Sequence, residues 1–264
     1  MSIGARAVRG GGDGARHEVG APTQESLMNN SDPRTISASS DAISCDRRSS
    51  STQVTLSLLG WGAVAGPFYV LVALAQALTR DAFDLTRHQW SLLENGDLGW
   101  VQVANFVLTG LMLVAFAVGL RRSLGGGRGG PGGRWAPVLT GLFGACLIAA
   151  GVLRADPALG FPVGTPDGVG TITAHGIGHF AAAGVGFFAI AACCFVLARR
   201  FTAEGARGLA VFSRVTGIVF LGGFLCVASG AGSVAANLLF TGAVVLVFAW
   251  VAVVAVRLYR SLAD

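Results

Sequence analysis

Beyond about residue 53 the chain is a series of long apolar runs separated by short polar breaks. The runs fall at 54–78, 100–120, 136–153, 175–198, 209–229 and 234–258. Each is close to the ~20 residues that cross a hydrocarbon layer of ~30 Å. Backbone amides in lipid must bond within their own segment, so such runs are helices, and the period-2 alternation of a membrane barrel is missing. The pattern predicts an all-α polytopic membrane helical bundle, with six transmembrane helices over residues 53–260. Residues 1–52 are different material: "RGGGDGAR" is Gly-rich and "SASSDAISCDRRSSST" is Ser-rich. Low apolar content predicts a disordered cytoplasmic tail there. Met28 is an alternative start, because nothing before it carries a periodic pattern.

Composition sharpens the membrane reading. Hydrophobic residues make up 53% of the chain and charged residues only 12%, against roughly 25% charged in soluble domains. The net charge is +5, but the basic residues sort by membrane side, which removes nucleic acid as a partner. All 19 basic residues are Arg, and Gly is abundant at 39, a bias expected of a high-GC bacterial genome. Arg121, Arg122, Arg128, Arg134, Arg199, Arg200, Arg207, Arg257 and Arg260 flank one set of helix ends. The alternate segments, 79–99 and 154–174, hold Arg80, Arg87 and Arg154 against six acids. The positive-inside rule then predicts a multi-pass protein of the bacterial plasma membrane with both termini cytoplasmic. In the tail six Arg balance six acids, so it is no polybasic lipid clamp.

Several local features are structural. Cys146, Cys193, Cys194 and Cys226 lie within spans, where a thiol is small apolar filling, and no cysteine pair lies in the outer loops. "VALAQA" at 72–77 has the look of a cleavage site, yet the apolar run before it is longer than a signal peptide needs. "RRSLGGGRGGPGGRW" lacks the lysine of a phosphate-binding loop and reads as a flexible linker. Gly62 with Gly66, and Ala182 with Gly186, space small residues for close helix packing. No inverted repeat of the transporter kind is visible.

The polar residues of the spans are distributed unequally by depth. Gln76, Gln102, Asn105, Asp156, His175, His179, Ser229 and Asn237 all fall toward the outer ends, with Asn105 about 7 Å below Trp100 at roughly 1.5 Å per residue. The inner halves are apolar apart mainly from Ser213 and Arg214. Intramembrane amides turn inward to partners or water because they are costly in lipid. An outward-opening polar cup is the expectation, with plain polar helix caps as the alternative.

His175 and His179 stand at i and i+4, on one helix face about 6 Å apart, a spacing that two ligands of one metal use. The Glu of the H-E-x-x-H motif is missing between them. Asp84 and His88 repeat the spacing in the first outer loop. If the loops fold over the cup, His88, His175 and His179 with Asp156 or Asp84 form an N/O set suited to zinc. Metal binding, an acid–base or ligand-binding role, and a structural role all remain open for these residues. A haem would want axial histidines on facing spans, and no other span carries one. A set of Ser91, His88 and Asp84 fails as a catalytic triad within one helix.

The segments "RHQWSLLENGDLGWVQVANFVLTGLMLVAFAVGLRRSL", "GVLRADPALGFPVGTP" and "AHGIGH" together resemble a bacterial integral membrane family, the domain of unknown function 998. The resemblance rests on Ser91-Leu92, Gly99-Trp100 with Gln102, Asn105 and Phe106, Asp156-Pro157, Gly160-Phe161-Pro162, and His175-Gly176 with His179, and it covers roughly residues 58–258. It implies six spans with these loops between them and a set of site positions, but no reaction.

The expectation is therefore an outward-facing polar pocket at outer-leaflet depth. Asp156, His175 and His179 are the candidate catalytic residues, with Ser91, Gln102, Asn105, His88 and Asn237 lining the pocket. Metal-assisted or acid–base chemistry on a lipid-like substrate is one reading, with zinc as the candidate cofactor on His175, His179, His88 and Asp156. The other is a non-catalytic small-molecule sensor, transporter component or accessory subunit. The partners expected are the bilayer and a lipid or small-molecule ligand.

Overall fold

The computed structural model describes residues 33–125, 129–168, 170–230 and 233–264. Six helices follow in order: α1 (Pro33–Thr79), α2 (Gly99–Ser123), α3 (Gly130–Leu153), α4 (Ala174–Ala203), α5 (Arg207–Ala228) and α6 (Val234–Ala263). A short 3-10 helix, Trp90–Glu94, interrupts the α1–α2 connection. Each long helix has the length and hydropathy to cross a membrane, α1 through its Ser50–Thr79 portion. The protein is thus an all-α, multi-pass membrane bundle. The chain divides into two compact units, Met1–Arg48 and Ser49–Asp264, and the second carries all six spans. Of the tail expected to be disordered, residues 1–32 lie outside the described residues, and α1 is helical from Pro33.

Local chemistry sets several helix ends. The Thr173 hydroxyl accepts from the Gly176 N–H at 3.1 Å to cap α4, and the Ser233 hydroxyl accepts from the Ala236 N–H at 3.2 Å to cap α6. Both satisfy an amide that the first turn leaves without a helical partner. Arg121 and Arg122 close α2 and Arg260 closes α6, where a cation suits the helix dipole.

Consecutive helices α2 through α6 pack side by side, and α1 lies against both α2 and α6 to complete the ring. Backbone approach makes this possible at small residues. A side chain at Gly66 would begin 2.8 Å from the Phe248 carbonyl oxygen, and one at Gly110 would begin 2.6 Å from that of Gly144. The interior holds Phe116, Phe143, Phe220, Val247 and Trp250, while Leu71, Leu111, Val185, Phe188 and Ile218 are exposed on the lipid-facing surface. A membrane protein presents apolar residues on both faces, so the spans read as continuous runs rather than stripes.

Two ends of the bundle result. One carries the connections 80–98 and 154–173 and the α5–α6 junction, and is called the loop end here. The other gathers Arg121, Arg122, Arg199, Arg200, Arg207 and Arg260 at the helix termini, and is called the arginine end.

Candidate functional site

The loop end is built by side chains that tie one connection to another. At the end of α1, Arg80 donates to the carbonyls of Leu93 and Asn95, fixing the 3-10 helix, while its guanidinium lies 4.9 Å from the centre of the Phe161 ring. Partial burial lowers the Arg80 pKa from its ordinary range, although Asp97 opposes that shift. His88 is buried between Phe83 and Phe161. Its Nδ1 accepts from the Asp84 N–H at 2.9 Å and its Nε2 donates to the Leu159 carbonyl at 2.9 Å. Both ring nitrogens are therefore engaged by backbone. Asn237, in the first turn of α6, donates to the carbonyls of Leu85 and His88 and accepts from the Gln89 amide at 2.9 Å.

Glu94 ends the 3-10 helix and is fully buried. Its Oε2 accepts from the Ala155 N–H at 2.9 Å and lies 3.2 Å from His179 Nδ1. That nitrogen also lies 2.9 Å from the Ala150 carbonyl oxygen. A carbonyl only accepts, so Nδ1 carries a proton, and Nε2 is an acceptor whenever the ring is neutral. Among the described residues Nε2 has no hydrogen-bond partner. His179 is only 7% exposed and stacks near Phe106, with ring centres 6.2 Å apart.

His179 forms part of the wall of a cavity of about 150 Å³ in the centre of the helix ring. All six helices contribute to it, and Gln89, Trp90 and Ser91 bring in the first connection. The rest of the wall is mostly aromatic, including Tyr69, Phe106, Phe187, Phe224 and Phe240. Trp90 Nε1 is buried with no hydrogen-bond partner.

The sequence candidates divide accordingly. Ser91 and His179 line the cavity. Gln102 and Asn105 do not; they are buried between α1 and α2 in a network of their own. Gln76 donates to Gln102 Oε1 at 2.8 Å, and Asn105 donates to the same oxygen and to the Tyr69 carbonyl. His88 and Asn237 hold the loops instead of lining the cavity. The expected polar cup is replaced by an apolar cavity with a few polar atoms on its wall, because the amides turn to one another between α1 and α2, where Gln76 Oε1 and Gln102 Nε2 are still left without a partner.

Asp156 accepts from the Thr173 N–H at 2.8 Å and from its hydroxyl at 2.6 Å, and so supports the α4 cap. A Cβ at Gly176 would begin 1.9 Å from Asp156 Oδ2, so glycine lets the helix start settle onto the carboxylate. His175 is exposed one turn above His179 and has no hydrogen bond or ion pair among the described residues. Asp156, His88, His175 and His179 therefore do not converge. Among the described residues no three His, Cys, Asp or Glu side chains are placed to share one metal ion, so the zinc set does not fit the geometry.

The missed residue is Glu94. Its signal was available, as the one acid inside the apolar turn "WSLLE" of an otherwise polar connection. What it lacked was a partner, since His179 lies 85 positions further on and meets it only through the folded loops.

The family described as "Protein of unknown function (DUF998)" matches residues 63–257, which is most of the chain, and the protein belongs to it. Among curated proteins and among solved structures, nothing matches the chain.

Proposed function

We propose that this membrane protein holds a lipid-like molecule in its central cavity and performs acid–base chemistry on it, with His179 as the acting group. The observation that carries this reading is the state of one ring. Nδ1–H is committed to Ala150 beside Glu94, and Nε2 is left unpartnered at the wall of an apolar cavity. A buried acid behind a histidine fixes its tautomer and supports the imidazolium that forms when Nε2 takes a proton. An aromatic cavity within the bundle suits an apolar substrate supplied by the bilayer.

The arginine distribution supports a bacterial plasma-membrane location with the arginine end in the cytoplasm, which turns the loop end and His179 outward. A non-catalytic sensor is the second reading. It is favoured by the way His88, Asn237 and Glu94 bond the connections together over the Trp90 side of the cavity, where ligand occupancy would be felt by the loops.

Reconstitution into liposomes of bacterial lipid extract, followed by mass spectrometry of the lipids, tests both. A product formed by wild type and by His175→Ala, but lost in His179→Ala, is the expected result. Bound lipid without a product would replace the enzyme reading by the sensor. Neither product nor retained lipid would sink the cavity as a functional site.

A further inference from the structure

We infer that the lipid-facing groove between α4 and α5 at the arginine end binds the phosphodiester of an anionic phospholipid, through Arg199 and Arg214. None of its residues lines the central cavity. Arg214 is the eighth residue of α5, about 10 Å along the helix from Arg207 at roughly 1.5 Å per residue. Its neighbours on the helix surface, Val211, Val215 and Ile218, are exposed, so Arg214 leaves the helix on its lipid-facing side. A charge left at that depth in hydrocarbon is costly. The guanidinium instead runs back to the end of α4, where it donates to the Thr202 hydroxyl at 2.8 Å.

That hydroxyl in turn donates to the Ala198 carbonyl at 2.9 Å, so it orients Arg214 and leaves the other guanidinium N–H groups open to a ligand. Arg199 precedes Thr202 by three residues on the same face of α4, with Cβ atoms about 6 Å apart. It is exposed and makes no hydrogen bond or ion pair among the described residues. Two arginines therefore flank one hydroxyl with no acid between them. Glu204, the acid at this end of α4, is taken by Arg200 at 2.7 Å. A snorkelling arginine needs only water, but two gathered at one hydroxyl repel each other and call for an anion. The guanidinium fork matches the oxygens of a phosphodiester.

The apolar surface beneath them makes that phosphate a lipid's. Phe195 lies one turn further into the span than Arg199 and is exposed. α5 closes on it at Gly217, where a Cβ would begin 3.3 Å from the Phe195 ring. Phe195, Val215 and Ile218 thus form an apolar track leading from the two arginines toward the bilayer interior, along which an acyl chain lies. A zwitterionic headgroup carries a cation of its own, and with Glu204 paired no free carboxylate at this end of α4 receives it. Net negative charge on the lipid is therefore favoured.

Native mass spectrometry of the full chain, released from detergent micelles, counts bound lipid during titration with dioleoylphosphatidylglycerol or dioleoylphosphatidylcholine. Wild type is expected to bind the glycerol lipid about tenfold more tightly than the choline lipid. Arg199→Gln, at a side chain without protein contacts, and Arg214→Gln, whose amide keeps a donor for Thr202, should each remove that preference. Arg260→Gln takes the same charge from α6 and should retain it. Equal binding of the two lipids by wild type, or an equal loss in Arg260→Gln, overturns the site. Full displacement of the lipid by millimolar inorganic phosphate assigns the arginines to a free anion. A second copy of the chain in place of lipid, lost in Arg199→Gln, assigns the groove to self-association. Either result overturns the lipid.

Discussion

At the loop end, His88, Glu94, Asn237 and His179 turn inward and bond across connections far apart in sequence. At the arginine end, polar contacts stay at the rim. Arg122 reaches Thr55 and Ser51, Arg214 reaches the Thr202 hydroxyl, and Arg200 lies 2.7 Å from Glu204 one turn along its own helix. Below that rim the helices close on apolar groups, with the Trp250 indole donating to Ser213 at 2.9 Å as one buried exception. The difference shows that the two polar ends are polar for separate reasons. Long arginines serve membrane placement and keep their heads in water. Short, buried carboxyl, amide and imidazole groups organise a folded cap over a cavity.

Substitution at the two ends should separate these roles. The largest effect is expected of Glu94→Ala, which strips the Ala155 N–H of its acceptor and removes the acid beside His179. It should cost about 1–3 kcal/mol in denaturant unfolding in mixed micelles. Arg122→Ala at the opposite end breaks three contacts, yet it is exposed and should cost about 0.5 kcal/mol or less. Similar losses for the two variants would collapse the distinction drawn between the ends.

The smallest effect concerns pH. The hydroxyl and backbone N–H of Thr86 both donate to Asp84, and these bonds hold its carboxyl below the ordinary value of 3.8. A depressed folded pKa gives stability that is complete above the unfolded value and is lost as pH falls through the folded one. Asp84 is exposed, so the effect is slight. Comparing thermal unfolding of wild type and Asp84→Asn from about pH 5 down to about pH 3 should show a slightly shallower decline for the variant. An identical decline would mean that the Thr86 bonds contribute nothing to the cap.

The site was legible in the sequence only where a residue's depth decided its role. Counting along its run places His179 near an outer helix end, and it lines the cavity; Ser91, in the first connection, is reached through the family resemblance and lines it too. Gln102 and Asn105 were placed at the right depth too, but depth does not tell which neighbour an amide will face. They face each other, Gln76 and the Tyr69 backbone. His175 and His179 share a helix face by spacing, yet one turn separates an exposed helix start from a buried interior.

Sequence alone determined the six spans and the unequal distribution of arginine and polar side chains. These are properties of continuous segments: hydropathy over about 20 residues decides crossing, and charge beside each crossing biases its direction. Tertiary structure alone decided that Glu94 meets His179, that His88 spends both nitrogens on backbone, and that Asp156 supports a helix cap. Those outcomes depend on how the 80–98 and 154–173 connections fold against each other. A side chain's partner is set by the three-dimensional path of distant backbone, and no local period in the sequence encodes that path.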